Sequence, residues 1–233
     1  MGGNPKMTLI LTAICKDGMG ICADKRYKII GSDGSIRLED NHNKIYEFQK
    51  IPYVILNHGI NKINNKDWSV YCSEYEASDR WKGKSQFQIV NDFKDYIEDS
   101  VENELSRYKG GKKHAIGFLL GGKPPLESKY KVTELHWLLE SNEIKFTIKK
   151  HQFFVITGGD DSKACLGAYL NSHPELLTDK YWKGFKLKQA ENKLVELFNL
   201  AVNEKVKLSN DEFSDSFDIK RITGGIWSGG KEK

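Results

Sequence analysis

The amino-acid sequence predicts an α+β fold, a sandwich of two antiparallel sheets flanked by helices. Strand-like runs follow one another in pairs joined by short turns, and helical patterns are grouped between and after them. That order favours antiparallel sheets over the repeated strand–helix–strand units of a parallel sheet. With 233 residues, of which 39% are hydrophobic and 29% charged, the chain has the length and composition of one large globular domain.

The first sixty residues are predicted to be β. Thr8 to Cys15 and Met19 to Ala23 are apolar runs separated by the turn Lys16-Asp17-Gly18, which is the pattern of a β-hairpin. Because both runs are continuously apolar, we expect both faces of the hairpin to be covered. Further β structure is expected at a second turn, Ser32-Asp33-Gly34, and at the strands Lys44 to Phe48 and Pro52 to Leu56.

A long amphipathic helix follows. Its apolar residues recur every three or four positions and it should end near Gly110; they are Val90, Phe93, Ile97, Val101 and Leu105. Three strand-like runs come next, at His114 to Leu120, Val132 to Leu139 and Phe153 to Thr157.

The last third is predicted to hold two helices and a strand. Ser162 is expected to cap a short helix, and a longer helix carries an apolar stripe from Leu187 to Ala201. The closing strand runs from Phe217 to Ile222, and the glycine-rich tail after it is expected to be poorly ordered.

Charge gives no reason to expect a nucleic-acid or phosphate ligand. The 36 basic and 32 acidic residues give a net charge of +4 and are interleaved along the chain. The basic run Lys145 to Lys150 alternates with apolar residues, which is typical of the solvent face of a strand. Gly117 to Lys123 fits the start of a phosphate-binding loop, but Pro124 stands where a Ser or Thr should ligate magnesium.

No cofactor, metal or membrane is expected either. The four cysteines have no C-x-x-C spacing and the histidines form no metal-binding pair, so reduced thiols in a cytoplasm are the natural interpretation. The apolar residues from Leu9 to Ile14 imitate a signal peptide, but Ile14 stands where a small residue is needed for cleavage. No run reaches the roughly 20 apolar residues that span a bilayer.

The first hairpin carries a motif with a specific spacing. Thr8 opens the first strand, and Ala23-Asp24-Lys25-Arg26 closes the second, with Asp24 sixteen residues after Thr8. Asn43-Lys44-Ile45 and His58-Gly59 follow in order. In these elements the sequence resembles the proteasome β-subunit and the bacterial HslV peptidase, which are N-terminal-nucleophile (Ntn) hydrolases.

The resemblance implies a four-layer αββα sandwich and a catalytic site formed by Thr8, Asp24, Arg26, Lys44 and Gly59. A threonine hydroxyl needs a base, and a free α-amine on the same residue titrates near neutrality. A lysine ammonium held by an aspartate would favour the neutral amine and the developing alkoxide, and the Gly59 N–H could face the oxyanion. The implied partners are a peptide or amide substrate and further copies of the chain, for which a ring is one arrangement.

The chain departs from the family at three supporting positions, because Gly158, Asn210 and Phe213 stand where a serine, an aspartate and a serine are expected. The nucleophile must also be the first residue. We therefore expect residues 1–7 to be an extension that is removed, 8–225 to be the domain and 226–233 to be a flexible tail. Methionine removal after a start at Met7, or self-cleavage after Met7, would expose Thr8.

Three hypotheses stay open on the sequence. The first is a threonine-nucleophile amide hydrolase. The second is a non-catalytic structural or binding subunit of a ring that keeps residues 1–7, with Thr8 only a strand residue. Taken singly, Lys44 could be a solvated strand lysine, and Asp24 and Arg26 could be an ordinary surface pair. The third is an unrelated β-rich binding protein, which is tested by whether the hairpin at residues 8–23 packs between two sheets.

Overall fold

The computed structural model describes residues 8–30, 36–51, 53–110, 113–123, 129–151, 153–208 and 212–223. The turn predicted at Ser32-Asp33-Gly34, the extension 1–7 and the tail 226–233 lie outside these residues.

The strands are, in order, β1 (Leu9–Ile14), β2 (Met19–Asp24), β3 (Tyr27–Ile30), β4 (Ile36–Glu39), β5 (Ile45–Glu47), β6 (Tyr53–Gly59), β7 (Lys62–Ile63), β8 (Lys66–Asp67), β9 (His114–Gly122), β10 (Lys131–Glu140), β11 (Glu143–His151), β12 (Phe154–Gly158) and β13 (Phe217–Ile222). The α-helices are α1 (Trp68–Ala77), α2 (Gln86–Ser106), α3 (Asp160–Ser172), α4 (Asp179–Lys183) and α5 (Leu187–Lys207).

Two antiparallel sheets organise the chain. The first has the strand order β12-β1-β2-β13, and the second has the order β11-β10-β9-β6-β5. Every pairing within them is antiparallel. The α+β class with antiparallel sheets and helices is therefore confirmed.

The predicted first hairpin forms the centre of the first sheet, and all residues of β1 and β2 are buried. Alternate side chains point to opposite faces of a strand. Leu9 and Leu11 pack in one cluster with residues of α3 and α5, while Ile10 and Ile21 pack in another with residues of β6 and β9. The hairpin thus lies between helices and the second sheet rather than between two sheets, which explains its continuous apolar runs.

The other face of the second sheet packs on α1 and α2. This cluster is rich in aromatic side chains, among which Phe118 makes edge-to-face or tilted contacts with Phe93, Trp137 and Trp68. Aromatic rings bury large areas and favour such geometries, so they contribute strongly to this layer.

Three sequence predictions need correction. Helix α1 was not predicted, although Asp67 caps it through Ser69 N and its buried Trp68, Tyr71, Cys72 and Tyr75 have helical spacing. Helix α2 ends at Ser106, not near Gly110. Ser162 does not cap α3, because Gly159 is at the N-cap.

The possible phosphate-binding loop does not exist. Gly117 to Gly122 form most of strand β9, which pairs along its length with β10 and β6. Extended backbone cannot wrap its N–H groups around a phosphate, so the motif match is accidental. The described residues also include no helix that is long and apolar enough to cross a membrane.

Two glycines test how tightly the sheets are packed. A Cβ added at Gly117 would lie 2.0 Å from the His58 ring, whereas one added at Gly167, inside α3, meets nothing within 4 Å. We expect Gly117→Ala to lower the free energy of unfolding by about 1–3 kcal/mol through overpacking. The control Gly167→Ala should raise it by up to about 1 kcal/mol through helix propensity. Urea unfolding measures both, and equal effects would contradict the packing.

Candidate active site

Thr8, Asp24 and Lys44 meet in the interior of the protein. The Lys44 Nζ atom lies 2.9 Å from Thr8 Oγ1 and 2.9 Å from Asp24 Oδ1. The side chains of Lys44 and Asp24 have no exposed surface, and Thr8 is 1% exposed. Lys44 is therefore not a solvated lysine, and Asp24 is not half of a surface pair.

The hairpin register explains why the sixteen-residue spacing works. β1 and β2 pair with Ile10 opposite Ala23, so the residues at the open end of the hairpin, Thr8 and Asp24, become neighbours. The Leu9 N–H donates to Asp24 Oδ1 at 2.8 Å and fixes that end. Because β1 and β2 have the same length and are joined by a tight turn, residues sixteen positions apart in the sequence lie next to each other.

Lys44 reaches the hairpin from the second sheet. It precedes the edge strand β5, and its carbonyl accepts a hydrogen bond from Asn57 N of β6 at 3.2 Å. The side chain then crosses between the sheets to Thr8 and Asp24. The cluster accordingly exists only when the two sheets are stacked.

The Asp24 carboxylate is held by the main chain as well as by Lys44. Its Oδ2 accepts from Arg26 N at 2.9 Å and from Ser214 N at 3.4 Å, while Oδ1 accepts from Leu9 N. These donors hold the carboxylate in one orientation. Asp24 is positioned to fix Lys44 rather than to approach a substrate itself.

Burial lowers the pKa of the Lys44 ammonium, and the neighbouring Asp24 carboxylate opposes part of that shift. Desolvation always disfavours a charge, so a lysine is retained in such a place only when a paired acceptor compensates. The ammonium donates to the threonine hydroxyl, and that contact stabilises negative charge on Thr8 Oγ1.

Arg26 and Gly59 occupy different positions relative to this cluster. The Arg26 guanidinium forms two bonds to Asp40, at 2.6 and 2.7 Å, and meets Asp24 through its backbone N–H. Gly59 ends β6 with φ of +84°, where a Cβ would lie 2.1 Å from the Ala115 carbonyl oxygen. Only glycine fits this conformation without strain. Their catalytic roles stay predictions.

The structure adds residues to the site that were not predicted as site residues. A Cβ placed on Gly158 would lie 2.1 Å from the Thr8 carbonyl oxygen and 3.4 Å from Ser162 Cβ, so Ser162 lies just across Gly158 from Thr8. Ser162 donates to Glu212 from its hydroxyl at 2.8 Å and its backbone at 3.0 Å. Ser214, which binds Asp24, also accepts from Lys25 N at 3.1 Å.

The positions predicted for family support are thus occupied differently. Phe213 belongs to the apolar helix-side cluster and packs edge-to-face on Phe198, and Asn210 lies outside the described residues. Ser162 and Ser214 are near neighbours of Gly158 and Phe213 in sequence. Serines within a few residues of those positions were the signal that could have identified them.

A second polar cluster lies on the face of the second sheet that turns toward the first. Glu134 is 3.4 Å from His58 Nε2 and 3.1 Å from His151 Nε2, and His58 stacks on His136. Burial alone would raise the pKa of Glu134, but hydrogen bonds from the two histidines outweigh it and hold the pKa well below its usual value. Among the described residues no group of three or more His, Cys, Asp or Glu is arranged to hold a metal ion.

The two stacked antiparallel sheets bring a buried threonine, lysine and aspartate together at the open end of the central hairpin. No family model and no curated protein matches the sequence. Similarity is found instead among solved structures.

Three of those structures are Anbu (ancestral beta-subunit) proteins. Anbu from Yersinia bercovieri has 13% identity and a TM-score of 0.56, covering 92% of this chain and 81% of its own. The Gly-1 mutant of Anbu from Hyphomicrobium sp. strain MC1 has 14% identity and a TM-score of 0.53, covering 94% and 88%. The helical assembly of the Anbu complex from Pseudomonas aeruginosa has 12% identity and a TM-score of 0.55, covering 92% and 81%.

These matches correct the family assignment. The hairpin motif indicated the proteasome β-subunit and HslV, and that prediction is wrong, because the structural neighbours are Anbu proteins, a related but distinct family. At identities of 12–14% the comparison establishes a shared fold. The motif was misleading because its spacing follows from the hairpin geometry, which related families can share.

The buried cluster makes a strong prediction about stability. Lys44→Met leaves the Asp24 carboxylate without its cation, so we expect a loss of about 3–5 kcal/mol in the free energy of unfolding. Asp24→Asn combined with Lys44→Met should cost less than the sum of the two single changes, because neither charge is then left alone.

A matched control is Lys66→Met, since Lys66 pairs with Glu74 at 2.8 Å on the surface. Solvent screens that pair, so its removal should change stability little. Urea unfolding of the four variants gives the comparison. A loss for Lys44→Met no greater than for Lys66→Met would show that the buried contact is not formed.

Proposed function

We propose that this chain is a proteasome-related amide hydrolase of the Ntn type, with Thr8 as the nucleophile of a four-layer αββα sandwich. In this proposal residues 1–7 are removed, residues 8–225 form the catalytic domain and residues 226–233 are a tail. The substrate is a peptide or another amide. Lys44, Asp24 and Gly59 support Thr8, and Arg26 holds the chain that carries Asp24.

One observation carries the proposal, which is the Lys44 ammonium 2.9 Å from both Thr8 Oγ1 and Asp24 Oδ1. A buried ion pair is a poor way to stabilise a fold, because apolar residues of the same volume serve as well or better. A charged group with a perturbed pKa beside a hydroxyl is instead typical of catalytic sites. The contact with the threonine distinguishes this pair from a purely structural one.

The reaction requires a free Thr8 amine. That amine takes the Oγ1 proton while Oγ1 bonds to the amide carbonyl carbon of the substrate. Lys44 stabilises the negative charge that develops on Oγ1 and disfavours protonation of the amine. When the tetrahedral intermediate collapses, the C–N bond breaks and the amine returns the proton to the leaving nitrogen. Water then hydrolyses the ester by the same route and releases the acid.

The oxyanion of the intermediate needs a donor close to Thr8. Gly59 N is the candidate, since β6 runs beside Lys44 through the Asn57 bond and ends at Gly59. One such donor contributes typically about 3 kcal/mol to transition-state stabilisation. Ser162, across Gly158 from Thr8, is suited to orient the Thr8 amine, with Glu212 fixing its hydroxyl.

The structural neighbours support an association of several copies. One of them is an ancestral beta-subunit, and another is a helical assembly of the Anbu complex. We therefore propose that this chain also associates with copies of itself. Light scattering on the purified chain measures the size of that assembly.

Mass spectrometry and a pair of buried threonines test the catalytic role. Intact mass should show a chain that begins at Thr8, and Thr8→Val should abolish release of aminocoumarin from a panel of peptide amides. Thr12→Val is the matched control, because Thr12 lies on β1, which begins directly after Thr8. Thr12 is also 1% exposed and has a hydroxyl without a hydrogen-bond partner among the described residues. This variant should keep full activity.

Two results separate the alternatives. A chain that keeps residues 1–7, shows no hydrolysis and forms large particles would identify a non-catalytic subunit instead. Undiminished hydrolysis by Thr8→Val, or by a protein whose N-terminus is still Met1, would overturn the nucleophile assignment. An acyl adduct on Thr8, seen by mass after rapid acid quenching, would support it directly.

A further inference from the structure

A large cavity opens at the opposite end of the central hairpin from Thr8. Its volume is about 1020 Å³, and it is bounded by the β1–β2 turn, the edge of the second sheet where β10 begins, and Lys183-Gly184 after α4. Strand β1 separates it from Thr8 by roughly 20 Å at the usual rise of a strand. The cavity is therefore separate from the candidate active site.

Lysine side chains from several parts of the chain line this cavity. They are Lys16, Lys123, Lys129, Lys131, Lys150 and Lys183. Of the described lining residues only Asp17 is acidic, and its carboxylate accepts the Leu187 N–H at 2.7 Å. His151 also lines the cavity, and its carboxylate partner Glu134 is shared with His58. The cavity thus carries a strong excess of positive charge.

Four of these lysines, Lys16, Lys123, Lys129 and Lys150, form no ion pair with a carboxylate of the described chain, whereas Lys183 pairs with Asp179. Lysines elsewhere on the surface are mostly paired with neighbouring acids, as Lys66 is with Glu74. Like charges gathered in a concavity repel one another and raise the local potential. An anionic ligand would relieve that repulsion.

The antiparallel register explains how the charges converge. Lys131 is opposite Gly122, which places Lys123 beside the start of β10, and Thr133 is opposite Lys150 at the end of β11. Two basic features that the sequence analysis set aside, at Gly117 to Lys123 and at Lys145 to Lys150, therefore end in the same cavity. Neither feature is a phosphate motif alone, and the sheet combines their terminal lysines.

Aromatic rings accompany two of these lysines. The Lys150 Nζ atom lies 4.5 Å from the Phe87 ring centroid, and Phe87 is 52% exposed. The Lys123 Nζ atom lies 6.0 Å from the Tyr130 centroid. An aromatic ring beside an ammonium group provides an apolar face next to a charged one.

We infer that this cavity binds a small phosphate-bearing polyanion. Its volume is at the upper end of the roughly 300–1,000 Å³ of small-molecule pockets, so it is suited to a ligand larger than a single phosphate. The described lining residues provide lysines and no arginine, and lysine binds phosphate as a point charge. A phosphate group carries up to two negative charges, so a phosphate-bearing polyanion places more charge among these lysines than carboxylates in the same volume.

Titration calorimetry of the full chain with inorganic tripolyphosphate tests this site without reference to hydrolysis. We expect saturable binding to one site per chain that weakens as salt is raised. Lys123→Gln combined with Lys150→Gln should weaken binding by roughly tenfold or more, because both substitutions remove a charged donor from the cavity.

The control removes the same charge from exposed lysines outside the cavity, through Lys50→Gln with Lys109→Gln. The control should leave the affinity for tripolyphosphate within about twofold, since salt screens exposed charges that lie outside the cavity. Equal losses in both double variants would mean diffuse attraction and would overturn the site, as would the absence of saturation. Tighter binding of a polyglutamate peptide than of tripolyphosphate would overturn the ligand class. Neither double variant touches Thr8, so failure here leaves the proposed hydrolase unaffected.

Discussion

The contact of the Lys44 ammonium with Thr8 and Asp24 links the two sheets of this protein. Lys44 comes from the edge of the second sheet, whereas both partners are at the open end of the hairpin in the first. A charge without exposed surface is tolerated only when its acceptors are fixed in place, and the backbone donors to Asp24 fix them. The candidate site therefore forms only when the two sheets are stacked, and the same contact helps to hold them together.

Close approach between the sheets depends on residues without side chains. Gly117 leaves room for the His58 ring, and Gly121 leaves room for Met19, whose Cε would be 2.5 Å from an added Cβ. Packed interiors tolerate little extra volume, so these glycines set how near the hairpin lies to the second sheet. That distance in turn determines whether Lys44 reaches the threonine. Within the first sheet, Gly158 of β12 leaves room for the backbone of Thr8, whose carbonyl oxygen would lie 2.1 Å from an added Cβ.

The fold persists in Anbu proteins at 12–14% identity because it rests on pattern rather than on particular residues. Alternating apolar faces and short turns specify stacked sheets for many sequences. The chemistry is less tolerant, since it depends on single side chains. In the proposed enzyme Ser162 orients the Thr8 amine, Glu212 fixes the Ser162 hydroxyl, and Ser214 binds Asp24. The basic cavity lies at the far end of the same hairpin. The central strands β1 and β2 thus separate the buried Thr8 cluster at one end of the hairpin from the lysine-lined cavity at the other.

The sequence by itself determined the α+β class, the central hairpin and most of the strands, because local periodicity and turn residues control those features. The grouping of Thr8 with Asp24 rested instead on the spacing in which the sequence resembles the proteasome β-subunit and HslV. The same resemblance included Lys44, but no feature of the sequence showed that this lysine is buried. The sequence pattern did not reveal α1, whose helical stripe is largely aromatic. The cap of α3 was predicted at the wrong residue, because the Ser162 hydroxyl donates to Glu212, fifty residues away. The resemblance led to the wrong family, since hairpin spacing is shared by related folds. Only the tertiary structure decided which polar groups are buried together and which lysines converge, because those contacts join segments distant in sequence and depend on the stacking of two sheets.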